Sequence, residues 1–192
     1  MKTSFKSLRI LAPAPTALVV AGNIENANIA TIAWVSLLTS APPTVGISVG
    51  QKGFSGNAIK ENKNFTVNIA SAEIMAEADF CGITSGKDTD KFKETGLTKM
   101  PSHIVESPII KECPINIECK LVEHNLIGNT NHFIGEIVQT HIDTDKLRDP
   151  QHAGSLILEK INPLIYMGGA KEYRKIGEKI GDAYQIGKQL FK

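Results

Sequence analysis

Several things are scarce in this 192-residue chain, and each scarcity closes a door. Lys and Arg number 21 against 20 Asp and Glu, a net charge of +1, so no field of one sign draws the molecule to nucleic acid or an anionic membrane. No apolar run approaches the roughly 20 residues of a membrane span. The three cysteines, Cys81, Cys113 and Cys119, are an odd set without knuckle spacing, and no histidine pair follows at ligand spacing, so no metal site is expected. Free thiols suit a reducing, cytoplasmic compartment. There is no glycine fingerprint that holds a dinucleotide by its pyrophosphate, no repeat and no low-complexity tract. Lys2, Lys6 and Arg9 ahead of Ile10 and Leu11 loosely imitate a signal peptide. Pro13 and Pro15 interrupt that pattern, and the segment is read as mature protein.

What is present begins with a 42% hydrophobic composition, enough for a single compact domain spanning 1–192. A chain of this size buries roughly 70% of its unfolded surface. The informative stretch is Asn28 to Ser48. It carries the single tryptophan, Trp34, among small or polar residues (Asn28, Ala30, Thr31, Ala33, Ser36) that alternate with bulky aliphatic ones. Small side chains on one strand face leave room for a flat molecule near the backbone, and Thr31 and Ser36 offer hydroxyls. Pro42 and Pro43 cannot sit in a central ladder, so they end one extended segment and set up the strand from Thr44 to Val49.

Along the chain, Thr16 to Ala21 reads as a first strand, joined by the turn Gly22 to Asn26 to the strand holding Trp34. Gly50 to Asn57 is loop chemistry ahead of a short helix over 58–62. Lys52 and Ser55 there, beside free helix amides, suit a phosphate. Phe65 to Ile69 is a strand, 74–80 a short helix, 81–92 a polar loop and 97–108 irregular. Ile115, Ile117, Cys119 and Leu121 alternate with Asn116, Glu118 and Lys120, which predicts a half-buried strand with its polar residues in solvent. The turn at 128–131 returns the chain through 132–141, making a long hairpin. His124, His132 and His141 on these strands are read as structural or exposed. Short strands are expected at 156–158 and 164–166. Tyr173, Ile176 and Ile180 recur at helical spacing and predict a terminal amphipathic helix, weakened by Gly177 and Gly181.

Taken in order, these pieces resemble the flavin reductase-like, FMN-binding split-barrel family, in its flavoredoxin-type branch. The resemblance rests on Asn28, Thr31, Ala33 and Trp34; on Pro42, Pro43, Val45, Ile47 and Ser48; and on Phe54 and Ser55 followed by Ile59, Lys60 and Glu61. It continues through Cys81, Gly82, Ser85, Gly86, Lys87, Asp88, Asp90, Lys91 and Phe92, then Cys113, Pro114, Asn116 and Glu118, and ends with Tyr166 and Tyr173.

The resemblance implies a mainly β fold: a six-stranded antiparallel split β-barrel with a Greek-key element and short flanking helices, working as a homodimer. It implies FMN near the dimer interface. Asn28, Thr31, Ala33 and Trp34 would lie along the isoalloxazine edge, and Ser48, Lys52 and Ser55 at the ribityl phosphate. Lys87 and Lys91 would come from a closing loop, and Tyr173 from the C-terminal segment. Gly53 stands where the family often has a basic residue. The implied activity is an FMN-dependent oxidoreductase that takes electrons from NAD(P)H and passes them to a flavin, ferric complex or redox protein partner. An electron carrier without nicotinamide activity and a non-redox binding barrel are the alternatives. The flavin carries the redox chemistry, so no catalytic acid, base or nucleophile is named.

Overall fold

The computed structural model describes residues 1–191. In chain order the elements are β1 (Ala14–Pro15), β2 (Ala17–Ala21), β3 (Asn28–Ile32), β4 (Val35–Ser40), β5 (Pro43–Gly50), α1 (Phe54–Asn62) and β6 (Asn64–Ile69). They continue with α2 (Met75–Ile83), α3 (Lys91–Thr95), β7 (Lys99–Met100), β8 (Ile109–Ile110), β9 (Ile115–Ile127) and β10 (Thr130–Ile142). Last come α4 (Leu158–Ile161), β11 (Ile165–Met167) and β12 (Glu172–Arg174).

The main sheet has seven antiparallel strands in the order β3-β2-β6-β9-β10-β5-β4, one more than expected. β3 and β4 stand at its opposite edges, yet only Ala33 and Trp34 separate them in sequence. Three Cα steps of about 3.8 Å reach at most about 11 Å, so the sheet must roll until its edges nearly meet. The structure therefore breaks the extended segment that holds Trp34, read above as running unbroken to Pro42, at the point where the barrel closes. The Trp34 carbonyl still accepts a hydrogen bond from the Ser48 amide at 3.0 Å.

Two cores flank the barrel wall, and alternate residues of β2 serve both. Ala17, Val19 and Ala21 point inward with Val45, Ile47, Val49, Phe65, Val67, Cys119 and Phe133. Leu18 and Val20 point outward, under Ile74, Ala78, Cys81, Phe92, Leu97, Ile110 and Cys113. Since β2 is covered on both faces, all five of its residues are buried, which accounts for its unbroken apolar run. The fit inside is close. A Cβ on Gly135 would lie 2.6 Å from Phe65 Cζ and 2.9 Å from Cys119 Cβ.

The same outer layer overturns one expectation. Asn116 and Glu118 do not face solvent; they are 6% and 0% exposed, because the segment 102–113 crosses that face. Asn68 and Asn116 hydrogen-bond each other (2.8 Å) and hold both the amide and the carbonyl of Ile110. The Glu118 carboxylate accepts from the amides of His103, Ile104 and Val105 at 2.7–3.0 Å and from His141 Nε2 at 2.6 Å. A buried charge so fully bonded ties an otherwise irregular segment to the sheet.

Two smaller expectations also fail. No strand forms over 156–158: Leu156 makes only an isolated bridge to Leu147, and Leu158 begins α4. Tyr173 belongs to β12, paired with β11, and the amphipathic helix does not form: among the described residues beyond Arg174 there is a single 3-10 turn, Ile186–Leu190. Gly177 and Gly181 lower the helix propensity of that span. Ile180, Tyr184 and Phe191 are left exposed. Among the described residues no helix is long and apolar enough to cross a membrane.

Burial by itself would raise the Glu118 carboxyl, but the bonds from His141 and the three amides outweigh it and hold the group below its ordinary 4.5. A depressed carboxylate adds stability that is present above the unfolded pKa and is lost as pH falls through the folded one. Glu118→Gln is therefore expected to cost about 2–4 kcal/mol at pH 7. Its deficit relative to the native chain should shrink below about pH 4.5, read as denaturation midpoints across pH.

Candidate functional site

The point where the barrel closes also borders a surface cavity. A cavity of about 1020 Å³ opens beside it, lined by Ala33, Trp34 and Val35, by Gly46 and Ser48 of β5, and by His132 and Ile134 of β10. The N-terminal arm 8–15 and Tyr166 complete its wall. Cavities that hold cofactors and drug-sized ligands run to about 300–1,000 Å³, so this one is of cofactor size. The indole of Trp34 is 52% exposed, with the Arg9 guanidinium 5.9 Å from its ring centroid. Ser48 and His132 are directly paired across β5 and β10, and Ser48 Oγ lies 3.0 Å from His132 Nδ1.

A second cluster forms at the other end of β3. Asn28, 7% exposed, donates from Nδ2 to Ser55 Oγ at 2.9 Å. The loop after α2 comes so close that a Cβ on Gly86 would stand 2.1 Å from Asn28 Oδ1. The start of β3, the first turn of α1 and the loop 84–90 thus meet on one side chain. The N-terminus of α1 has Gly53 as its cap, with no side-chain cap bond, so its first amides remain available to an anion. Against that turn lies Asn131 Nδ2, buried and without a partner among the described residues; a Cβ on Gly56 would stand 3.1 Å from it. An open cavity at the strand break, an uncapped helix start and an orphaned amide beside it together fit a planar cofactor with an anionic tail.

The ten residues singled out from the sequence divide among these places. Ala33, Trp34 and Ser48 line the cavity. Asn28 and Ser55 bond each other at the second cluster, and Lys52 stands exposed on the loop before α1. Lys87 is exposed on the loop 84–90.

The other three spend their polar atoms on the scaffold. Thr31 Oγ1 donates to the Ala78 carbonyl in α2 at 2.5 Å. Lys91, 4% exposed, donates to the carbonyls of Ile29 (2.8 Å) and Cys81 (2.7 Å). Burial lowers its pKa. Tyr173 Oη donates to Asp79 Oδ1 at 3.0 Å, and burial with that carboxylate pushes its pKa up to about 12.

The sequence reading gave no site role to Asn131, placed in a turn, to Arg9, placed in the N-terminal segment, or to His132, read as structural or exposed. The β5–β10 register, which no local pattern gives, is what sets His132 opposite Ser48. His124 bonds Asn131 Oδ1 and stacks on Phe133, and His141 holds Glu118, so these two are structural. Among the described residues no His, Cys, Asp and Glu group is placed to hold a metal.

A seven-stranded antiparallel barrel, split at one seam and presenting a deep cavity there, defines a class of small split-barrel proteins. Within it, the chain belongs to the flavin reductase-like family, whose domain model matches residues 9–176. Flavoredoxin of Desulfovibrio vulgaris (Miyazaki F) superposes with a TM-score of 0.89 at 34% identity, over 97% of this chain and 100% of its own. Flavoredoxin from Methanosarcina acetivorans gives 0.89 at 27% identity, over 99% and 100%. An uncharacterized protein of Archaeoglobus fulgidus is 34% identical across 72% of this chain and 78% of its own length. The fold is thus of a flavin-related oxidoreductase or electron-transfer type.

Burial pushes the Cys81 thiol up to about 11, against the opposing pull of Lys91. At pH 7.5 an excess of iodoacetamide is expected to leave Cys81, Cys113 and Cys119, all buried, unmodified in the native protein and to label all three after unfolding, as counted by intact mass.

Proposed function

We propose that this protein binds FMN and acts as a flavoredoxin-like oxidoreductase, drawing electrons from NAD(P)H and passing them to a flavin, ferric complex or protein acceptor. The observation that carries the reading is the juxtaposition of two features at the two ends of one short strand. At one end is the cavity at the Ala33–Trp34 break; at the other, the Asn28–Ser55 bond at the uncapped start of α1. When bound, the flavin supplies the exchange of electrons with donor and acceptor. The protein's part is position and shelter. Small Ala33 lets a ring approach the backbone, and Trp34 screens it from water. The α1 amides and Lys52 offer the phosphate positive charge. Asn28, clasped by Ser55 and pressed by Gly86, is a fixed amide at the end of β3 where the α1 amides lie.

The same reading includes a homodimer. Trp34, Leu37, Leu38, Leu126 and Ile127 are all at least half exposed near the β4 edge and the β9–β10 tip. Contiguous exposed apolar surface on this scale marks an association site, and a second copy seated there would close the open side of the cavity.

Titration of the purified protein with FMN is expected to quench Trp34 emission and flavin fluorescence together, with an affinity near micromolar, about −8 kcal/mol. Asn28→Ala and Ser55→Ala should each weaken binding about tenfold. No quenching at tens of micromolar overturns the reading. Anaerobic NADH or NADPH should bleach the bound flavin within seconds; failure of both removes the nicotinamide donor and leaves an electron carrier.

A further inference from the structure

The net charge of +1 conceals a segregation along the chain. Residues 1–13 and 171–192 hold nine Lys and Arg against three Asp and Glu, whereas 14–170 hold 12 against 17. The terminal segments are thus net +6 and the body between them net −5. The fold brings the two basic segments together. The first leads into β1 and the second leaves through β12, and β11 pairs with both in one small sheet. Their roots therefore lie about 10 Å apart, two strand spacings. Arg174 pairs with Glu172, and Lys179 with Asp182. Among the described residues Lys2, Lys6 and Lys175 form no ion pair. These segments also expose apolar side chains. Phe5, Ile180, Tyr184, Ile186, Leu190 and Phe191 are 58–98% exposed, belong to neither core and do not line the cavity at the seam. They stand among the lysines on largely irregular backbone. A structured protein partner calls for a shaped, well-packed face. A lipid–water interface takes apolar side chains one by one, while its phosphates meet the lysines.

We propose that the two terminal segments together form a docking surface for an anionic phospholipid membrane. The lysines lie at the headgroups, and the six apolar side chains dip just below them. The acidic body is repelled by the same lipids and stays on the water side. The protein rests on the bilayer and does not span it. A neutral membrane offers the lysines nothing, and a nonpolar groove on a partner leaves them unanswered. The inference does not depend on the flavoprotein reading.

The test floats the full-length purified protein with vesicles of phosphatidylcholine, made with or without phosphatidylglycerol. Vesicles containing phosphatidylglycerol are expected to bind at least about tenfold more tightly, and about 0.5 M salt should remove the difference. The combined substitutions Lys175→Gln, Lys179→Gln and Lys188→Gln should erase the preference. Ile180→Ser, Leu190→Ser and Phe191→Ser together should weaken binding to the anionic vesicles by about tenfold or more. All six positions lie outside both cores, so both variants are expected to keep the native unfolding midpoint. Equal affinity for the two kinds of vesicle overturns the proposal. So does a preference that survives the lysine substitutions, or unchanged binding by the serine variant. If no vesicle is bound and the same substitutions turn a dimer into a monomer in sedimentation, the segments serve a second copy and the proposal falls. Vesicle binding without FMN binding leaves the membrane surface standing while the flavoprotein reading falls.

Discussion

The geometry of this molecule follows from one short tether. Ala33 and Trp34 must carry the chain from one edge of a seven-stranded sheet to the other, and two residues can do that only if the sheet has curled on itself. The ladder that joins the strands elsewhere is interrupted at this seam, so the barrel is split there and its wall is open. A barrel of this size ordinarily fills its interior with side chains, and this one does, with Phe65 and Phe133 against Gly135. The open volume therefore lies at the seam and not in the middle. Trp34 is half exposed because the tether cannot turn inward without displacing that packed core.

Around the barrel, polar residues that look misplaced in the sequence act as fasteners for segments with little regular structure. Glu118 holds three consecutive amides and His141. Asn68 and Asn116 hold Ile110. Lys91 gathers two carbonyls, one from β3 and one from the last turn of α2. Each is a charge or amide that burial would penalise unless its bonds are complete; backbone groups supply most of those bonds, with His141 added at Glu118 and the Asn68–Asn116 bond joining the two amides. The consequence for the site is rigidity: Lys91 and Thr31 both anchor β3 to α2, so the strand carrying Asn28 and leading into Trp34 is fixed from behind.

How much of this was legible beforehand divides by the range of the interaction involved. β2, β6 and the β9–β10 hairpin announced themselves through local alternation or unbroken apolar runs, and the turn at 128–131 through its residues. The role of Glu118 did not, because alternation says only that a residue lies opposite the barrel interior. Whether that second face meets water depends on the path of 102–113, which has no period of its own. The terminal helix failed for a related reason: Tyr173, Ile176 and Ile180 keep helical spacing, but Tyr173 is recruited to β12 by pairing with β11 and by Asp79. At the site, the small-residue stretch around Ala33 and Trp34 was visible locally, whereas Ser48 was named only through the family resemblance; all three line the cavity. Arg9 and Tyr166 meet at the cavity from opposite ends of the chain, and no local signal joins them.

This division bears on how the site works. Residues that touch the cavity come from two sources of different stiffness. Ser48, Gly46 and His132 sit in the ladder between β5 and β10, held by a continuous network of backbone bonds. Arg9, Leu8 and Ile10 belong to an exposed arm that precedes the first strand and packs lightly, with Ile10 against Gly169. Segments with few buried contacts open at little free-energy cost. The sheet wall is fixed by its ladder, whereas the arm side chains are held only by the contacts of an exposed segment. Binding against the wall therefore calls for less reorganisation than binding against the arm.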